Sequence, residues 1–324
     1  MFDVTALGEL LIDFTPCGRS SAGMRLFEQN PGGAPANVLC ALSNLGLKTA
    51  FIGKVGNDMH GDFLRETLAS KNIYTDGLVQ DPNIFTTLAF VELSETGERS
   101  FSFARKPGAD TCLKPEELRK EIIGNTKIFH FGSLSLTDEP ARSATLAAII
   151  AAKSAGAIIS YDPNYRKLLW HSKNEAKAIM RSVLPFVDVI KISDEESGLL
   201  TESQSPEESS QVLIDRGISC VVVTLGPDGA LIRTRDSLAQ VKAVDCSVVD
   251  TTGAGDSFWG GFLYKLIQNN KRPEELTQED AKDFLTFANA VATLCVQKRG
   301  AIPAMPYLED VMDLYCRSVL ESKV

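Results

Sequence analysis

The stretch of this chain best suited to chemistry is Asp250-Thr251-Thr252-Gly253-Ala254-Gly255-Asp256-Ser257-Phe258. The β-branched run Cys246-Ser247-Val248-Val249 precedes it and reads as the end of a strand, while apolar residues recur at helical spacing from Phe258 to Leu266. The spacing therefore predicts that Gly253 to Asp256 open a helix. Backbone N–H groups at such a terminus lack intrahelical partners and sit at the positive end of the helix dipole. They receive an anion such as a phosphoryl group without reorganising. The same field holds a first-turn carboxylate, Asp256, in its ionised form. Turn and carboxylate together make a phosphoryl-transfer device. The glycine-rich turn takes the charge that builds on a γ-phosphate, and Asp256 accepts the proton of an attacking hydroxyl. A strand-to-helix turn with an acidic cap would have the same local sequence.

A second glycine turn, Pro31-Gly32-Gly33-Ala34-Pro35-Ala36-Asn37-Val38, also leads into a helix. Adjacent glycines let a ligand approach the backbone, and Asn37 both donates and accepts hydrogen bonds, as a sugar hydroxyl requires. The alternative is an N-capped helix with a tight entry. Lys54 and Asp58, in Gly53-Lys54-Val55-Gly56-Asn57-Asp58, follow a strand and either shape a pocket or form a capped turn.

These turns need a frame. Short, apolar, mostly β-branched runs at 4–11, 49–55, 128–132, 157–162, 187–192 and 220–225 alternate with amphipathic helical patterns at 36–45, 62–69, 140–153 and 207–216. Such alternation predicts a mainly parallel sheet with helices on both faces, whose ligands gather at the carboxyl ends of the strands. Residues 11–30 show no helical period, and 85–103 alternates like a hairpin around Glu95-Thr96-Gly97-Glu98. Both are expected to form extra strands, either a small lid or a surface hairpin. The acidic run 194–209 reads as a solvated helix face and loop.

Composition narrows the partners. The chain has 324 residues and a net charge of −9, with 44% hydrophobic and 23% charged residues, as in a globular enzyme with a sizeable core. That charge disfavours nucleic acid and anionic membrane as main partners. Seven cysteines without a CxxC pair, and three isolated histidines, predict a reducing compartment and neither a zinc site nor a Ser-His-Asp device. Met1 to Val4 lacks the start of a signal peptide, and the apolar run 144–152 is too short to span a bilayer, so a cytoplasmic protein is expected. No GxxxxGK[ST] string is present, and Phe258 stands at the third glycine position of GxGxxG. P-loop and dinucleotide-binding readings are therefore disfavoured.

Asp250 to Phe258 resembles the C-terminal signature of the ribokinase-like, or PfkB, sugar kinases, and Gly32-Gly33 the start of their N-terminal signature. Gly8-Glu9-Leu10-Leu11-Ile12-Asp13-Phe14, PGGAPAN, Asp162-Pro163-Asn164-Tyr165-Arg166 and Leu169-Trp170 together are similar to the fructokinase branch, over residues 4–306. The resemblance implies a single domain, 1–324, with the ribokinase-like three-layer α/β/α sandwich and a lid from roughly 11–30 and 85–110. It implies transfer of the ATP γ-phosphoryl group to the 6-hydroxyl of D-fructose, with Asp256 as base and Gly253, Ala254 and Gly255 as anion hole. Asp13, Gly32, Gly33, Asn37 and a lid arginine, Arg105, would hold the sugar, and Arg166 would steady the phosphates. Lys191, Thr224, Gly226, Gly229 and Asn289 would border the nucleotide, with Asn289 in Phe287-Ala288-Asn289-Ala290 at the start of a late helix. Glu196, in Ser193-Asp194-Glu195-Glu196, would orient water on Mg²⁺, although Ser193 replaces the family's Asn. Asp250, Thr252, Cys295, Lys298 and Gly300 would form a K⁺ site, mostly through backbone carbonyls, with Ala304 in place of the family's last hydroxyl ligand. A homodimer through the lid is a further expectation. The competing readings are a 2-keto-3-deoxygluconate kinase, whose acidic substrate needs Arg105 or Arg166, and a non-catalytic sugar-binding scaffold.

Overall fold

A computed structural model describes residues 1–93, 99–203 and 205–321. In chain order its strands are β1 (Phe2–Leu7), β2 (Leu11–Arg19), β3 (Arg25–Gly32), β4 (Thr49–Gly56), β5 (Tyr74–Asp81), β6 (Leu88–Leu93), β7 (Arg99–Ala104), β8 (Thr126–Gly132), β9 (Ile158–Asp162), β10 (Val189–Ser193), β11 (Cys220–Thr224), β12 (Ala230–Thr234) and β13 (Leu238–Val241). Its helices are α1 (Ala34–Asn44), α2 (Met59–Ser70), α3 (Lys120–Ile123), α4 (Ala141–Ser154), α5 (Lys173–Ser182), α6 (Asp194–Leu200), α7 (Pro206–Asp215), α8 (Ala254–Gln268), α9 (Gln278–Val296) and α10 (Leu308–Glu321).

Nine strands form the central sheet in the order β13-β12-β11-β10-β9-β8-β1-β4-β5. From β5 to β11 every neighbouring pair is parallel, and β12 and β13 close one edge as antiparallel strands. The parallel strands inside the sheet are buried on both faces and their alternate side chains enter different cores, while the edge strand β5 is partly exposed. Ile128, Val189, Cys220 and Val222 pack with α1, α2, α8 and α9. Phe129, Phe131, Ile190, Ile192, Val221 and Val223 pack with α3 to α7. This is the expected three-layer α/β/α sandwich. The second sheet, β3-β2-β6-β7, has four strands from the two segments that broke the helical rhythm. The expected turn at Glu95 to Glu98 lies outside the described residues.

Three elements differ from the sequence reading. The first strand stops at Leu7 rather than at residue 11, because the chain leaves the central sheet at Gly8 to Leu10 and enters the second sheet at Leu11. Gly8 makes this exit under Pro35, which occupies the space a Cβ would need. Cys246 to Val249 is not a strand but an irregular segment with Val248 and Val249 exposed. Its ladder bonds are replaced by Val249 and Asp250 N–H groups donating to Val296 O at 2.8 and 3.1 Å. Asn289 sits in the middle of α9 rather than near its start, because the Thr277 capping box begins that helix at Gln278.

One polar chain fastens α8 to the sheet. Trp259 Nε1 donates to Ser160 Oγ at 2.9 Å, and Ser160 Oγ lies 3.0 Å from His130 Nδ1. Burial, then the nearby Lys191 charge, depress the His130 pKa to about 3, so the ring is neutral and the chain carries no charge at neutral pH. Trp259 follows Asp256 by three positions, so this tether fixes the helix face that presents the carboxylate. No helix among the described residues is long and apolar enough to cross a membrane.

Candidate active site

The carboxyl ends of β1, β4, β8, β9 and β10 bring together residues far apart in sequence. Gly253 precedes α8 with φ +79°, in the left-handed region, and Asp256 stands in the first turn. Among the described residues no acceptor meets the amide N–H of Gly255 or Asp256, so both donors are available at the helix end. Asp256 is 8% exposed and accepts from two amides outside its helix: Asn37 Nδ2 to Oδ2 at 2.8 Å and Asn164 Nδ2 to Oδ1 at 3.3 Å. Burial raises its pKa, with the Asp162 charge adding to the rise, while Lys191, the Asn37 bond and Arg166 oppose it.

The glycine turn before α1 lies across from this carboxylate. Gly33 has φ +123°, and the space of its missing Cβ is taken by the Glu9 carbonyl, so only glycine fits. Asp13 Oδ2 occupies the corresponding space at Gly32. Asp13 is partly buried on β2, and burial pushes its pKa up to about 6 against the opposing charge of Arg166. Arg166 is exposed, and its charge opposes the rise at both Asp13 and Asp256. Asn37, in the first turn of α1, joins the two halves through its bond to Asp256.

Arg105 is not an open cation. It is buried, and its guanidinium donates to Asp110 at 2.8 Å, Thr137 Oγ1 at 3.0 Å and Leu134 O at 2.9 Å. Lys54 is likewise buried, paired with Asp81 and Glu117 at 2.8 Å each. Asp58 caps α2 by accepting from His60 and Gly61, and also holds Thr86 N at 2.8 Å. For Asp58, the capped-turn reading is the one observed.

Lys191 lies under the α8 terminus, with Nζ 3.3 Å from where a Cβ of Gly255 would stand. It pairs with Asp162 of β9, and both are buried. Burial works to lower the Lys191 pKa, but the charges of Asp162, Glu196 and Asp256 outweigh it and raise it. The lysine is therefore a fixed cation between three carboxylates.

Thr224, Gly226 and Gly229 stand at the β11–β12 turn, and the turn and Asn289 meet at the chain just after β13. The Val241 carbonyl fills the space of a Cβ at Gly229, and Asn289 Nδ2 donates to Val241 O and Lys242 O at 3.2 and 3.0 Å.

The metal expectations meet different fits. No group of three His, Cys, Asp or Glu side chains suited to a metal occurs among the described residues. Glu196 caps α6 from within, accepting from Ser193 N at 2.9 Å, and it also accepts from Tyr165 N at 2.6 Å. It has the charge to orient a metal-bound water but no partner ligand, which suits Mg²⁺ carried on phosphate and water oxygens. Asp250, Thr252, Cys295, Lys298 and Gly300 converge on one loop pair. Asp250 accepts from Thr252 N and Gly300 N at 3.0 Å each, Lys298 N bonds Cys295 O at 3.1 Å, and Cys295 Sγ lies 3.9 Å from Thr252 O. The backbone oxygens there suit a weakly hydrated monovalent cation. Ala304 is buried and offers no hydroxyl.

Sequence reading did not single out the Asp162–Lys191 pair, Asp110, or Glu9, which accepts from Ala34 N at 2.8 Å and so caps α1. Lys191 and Asp162 were each singled out, by the nucleotide expectation and by the Asp162 to Arg166 motif, but their pairing had no local signal; Glu9 had one in its place beside Gly8.

The sequence profile of the pfkB family carbohydrate kinases matches residues 1–308. The chain belongs to that family. Among its relatives, this pfkB kinase is 43% identical over 321 residues to "Probable fructokinase-6, chloroplastic" of Arabidopsis thaliana, covering 98% of this chain and 83% of the relative. The fructokinase of Xylella fastidiosa with bound ATP superposes with a TM-score of 0.90 at 34% identity, covering 98% of this pfkB kinase and all of that chain (100%). The fructokinase of Vibrio cholerae O395 in its fructose, ADP and calcium ion bound form gives 0.86 at 35% identity, covering 97% and 99%.

Proposed function

We propose that this protein is an ATP-dependent fructokinase that phosphorylates the 6-hydroxyl of D-fructose. The observation that carries the reading is the 2.8 Å bond from Asn37 to Asp256, which joins the glycine turn suited to a sugar to the carboxylate at the anion-receiving end of α8. In the step, the sugar 6-oxygen forms a bond to Pγ while the Pγ–O bond to the β-phosphate breaks. ADP leaves with that electron pair, and the hydroxyl proton passes to Asp256. The Gly255 amide receives the developing charge, and Gly253 and Ala254 form the turn that presents it, with Ala254 N–H donating to Thr251 O at 3.2 Å. Asp13, Gly32, Gly33 and Asn37 hold the sugar, with Arg105 acting through Asp110 to fix the edge of the site. Arg166 steadies the phosphates. Thr224, Gly226, Gly229 and Asn289 border the nucleotide, and Lys191 balances charge under the anion site. Mg²⁺ oriented through Glu196 would offset phosphate charge, and K⁺ at the Asp250 loops would support the α8 turn.

In the same reading the second sheet is a lid that excludes water, and its exposed edge pairs a second copy. All seven cysteines are free thiols, in keeping with a reducing compartment such as the cytoplasm. A ketodeoxygluconate substrate would need an unpaired cation at its carboxylate. Arg105 is already paired with Asp110 and Arg166 is assigned to the phosphates in this reading, so fructose is the better fit. The test is a coupled ADP-release assay over fructose, ketodeoxygluconate, ribose and adenosine. Fructose should give by far the highest kcat/KM, and preference for another acceptor would overturn the assignment. Fructose binding without ADP formation would make the protein a sugar-binding scaffold instead.

A further inference from the structure

We infer that Asn164 is a positioning residue for Asp256, holding the carboxylate ionised and aimed at the acceptor hydroxyl. This rests on the reading of Asp256 as base. Asn164 adopts φ +45°, a left-handed conformation that asparagine tolerates better than most residues with a side chain. Two part-buried contacts fix that conformation. Asn164 N donates to Asp162 Oδ1 at 3.2 Å, and the other Asp162 oxygen pairs with Lys191. On the far side Tyr165 N donates to Glu196 Oε1 at 2.6 Å. A turn clamped on both flanks directs the Asn164 amide onto Asp256 Oδ1, while Asn37 takes Oδ2 from the opposite side. Each carboxylate oxygen thus has one donor, and neither donor belongs to α8.

Geometry of this kind fixes the carboxylate plane and favours the charged form, since a donor to an ionised group lowers its pKa. The charged and titratable groups facing Asp256 are Asp162 of β9, Lys191 of β10, Arg166 after β9 and the Cys295 thiol of α9. Asn164 adds no charge of its own, so removing its side chain leaves this set unaltered and changes one hydrogen bond.

Asn164→Gly removes the amide while keeping the left-handed backbone accessible. Its kcat should fall at least about tenfold, a fraction of the general-base contribution. The acid limb of the kcat–pH profile should move to higher pH, and KM for ATP should stay close to the wild-type value. Asn164→Asp keeps the size and tolerates the same conformation but adds a like charge, so its acid limb should move further. Wild-type kcat and an unmoved limb in Asn164→Gly would overturn the inference. If a thermal melt shows that variant unfolded, an unmoved limb in Asn164→Asp would overturn it instead. Asp256→Asn separates this outcome from failure of the base itself. Near-normal turnover there sinks the parent reading, whereas an inactive Asp256→Asn beside a normal Asn164→Gly sinks only the role of Asn164.

Discussion

Replacing Asp256 by Asn tests the chemistry most directly, because the structure predicts opposite effects on turnover and stability. The amide has the carboxylate's shape; its oxygen still accepts from Asn164, and Asn37 turns its unpaired Oδ1 to accept from the new NH2 group. What disappears is the proton acceptor. General-base catalysis contributes about 10²–10⁴ in rate, and the anion-receiving amides of α8 survive the change. A fall in kcat of at least about a thousandfold, roughly 4 kcal/mol of barrier, is therefore expected, with ATP affinity within about threefold of wild type. Stability should move the other way. Burial and Asp162 raise the Asp256 pKa despite Lys191, so the folded state disfavours the charged form. That cost is present above the raised pKa and relieved below the unfolded value, and a neutral amide removes it. The melting temperature at pH 8 should be equal to or above that of wild type. Steady-state ADP release, nucleotide titration and a thermal melt read the three quantities. Turnover within tenfold of wild type would refute the base, and a collapse in melting temperature would assign Asp256 a structural role instead.

Three further outcomes follow from buried charges. Burial pushes Glu9 from 4.5 to about 7, which corresponds to roughly 3 kcal/mol of destabilisation when it is ionised in the fold. Glu9→Gln keeps an acceptor for Ala34 N, so it should raise the urea midpoint at pH 8, and the gain should vanish near pH 4.5 as the wild-type group protonates in both states. Arg105→Met strands Asp110 in a site where both side chains are under 5% exposed, at 4% and 2%. It should cost about 3–5 kcal/mol in denaturant unfolding, and adding Asp110→Asn should restore part of the loss. Lys54→Met leaves Asp81 and Glu117 facing each other, at a cost of about 2–4 kcal/mol at pH 7. Burial works to raise Asp81, but the Lys54 bond and two backbone amides hold it below its ordinary 3.8. The contribution of that pair is present above this value and lost as pH falls through the depressed pKa, so the Lys54→Met deficit should shrink below about pH 4.

The layers and the two glycine turns are legible in the order of residues alone. Runs such as 220–225 and helices such as 36–45 are written in local period, and local period survives folding because both faces of each strand and one face of each helix must be buried. Gly33 and Gly253 could be read as turns for the same reason, since their backbone needs are met within a few residues. Which side chains meet is a matter of long-range packing. Asn37 and Asp256 are 219 positions apart, and Asp162 and Lys191 are 29 apart on neighbouring strands. Their contacts depend on strand order and register, which no short window encodes. The same holds for what was misread. Arg105 looked like an open cation until Asp110, Thr137 and Leu134 surrounded it. Cys246 to Val249 had strand composition, but among the described residues its backbone N–H bonding reaches Val296 O and no sheet partner. A side chain's type limits the chemistry it can do, and the charges and donors packed around it decide whether that chemistry is available.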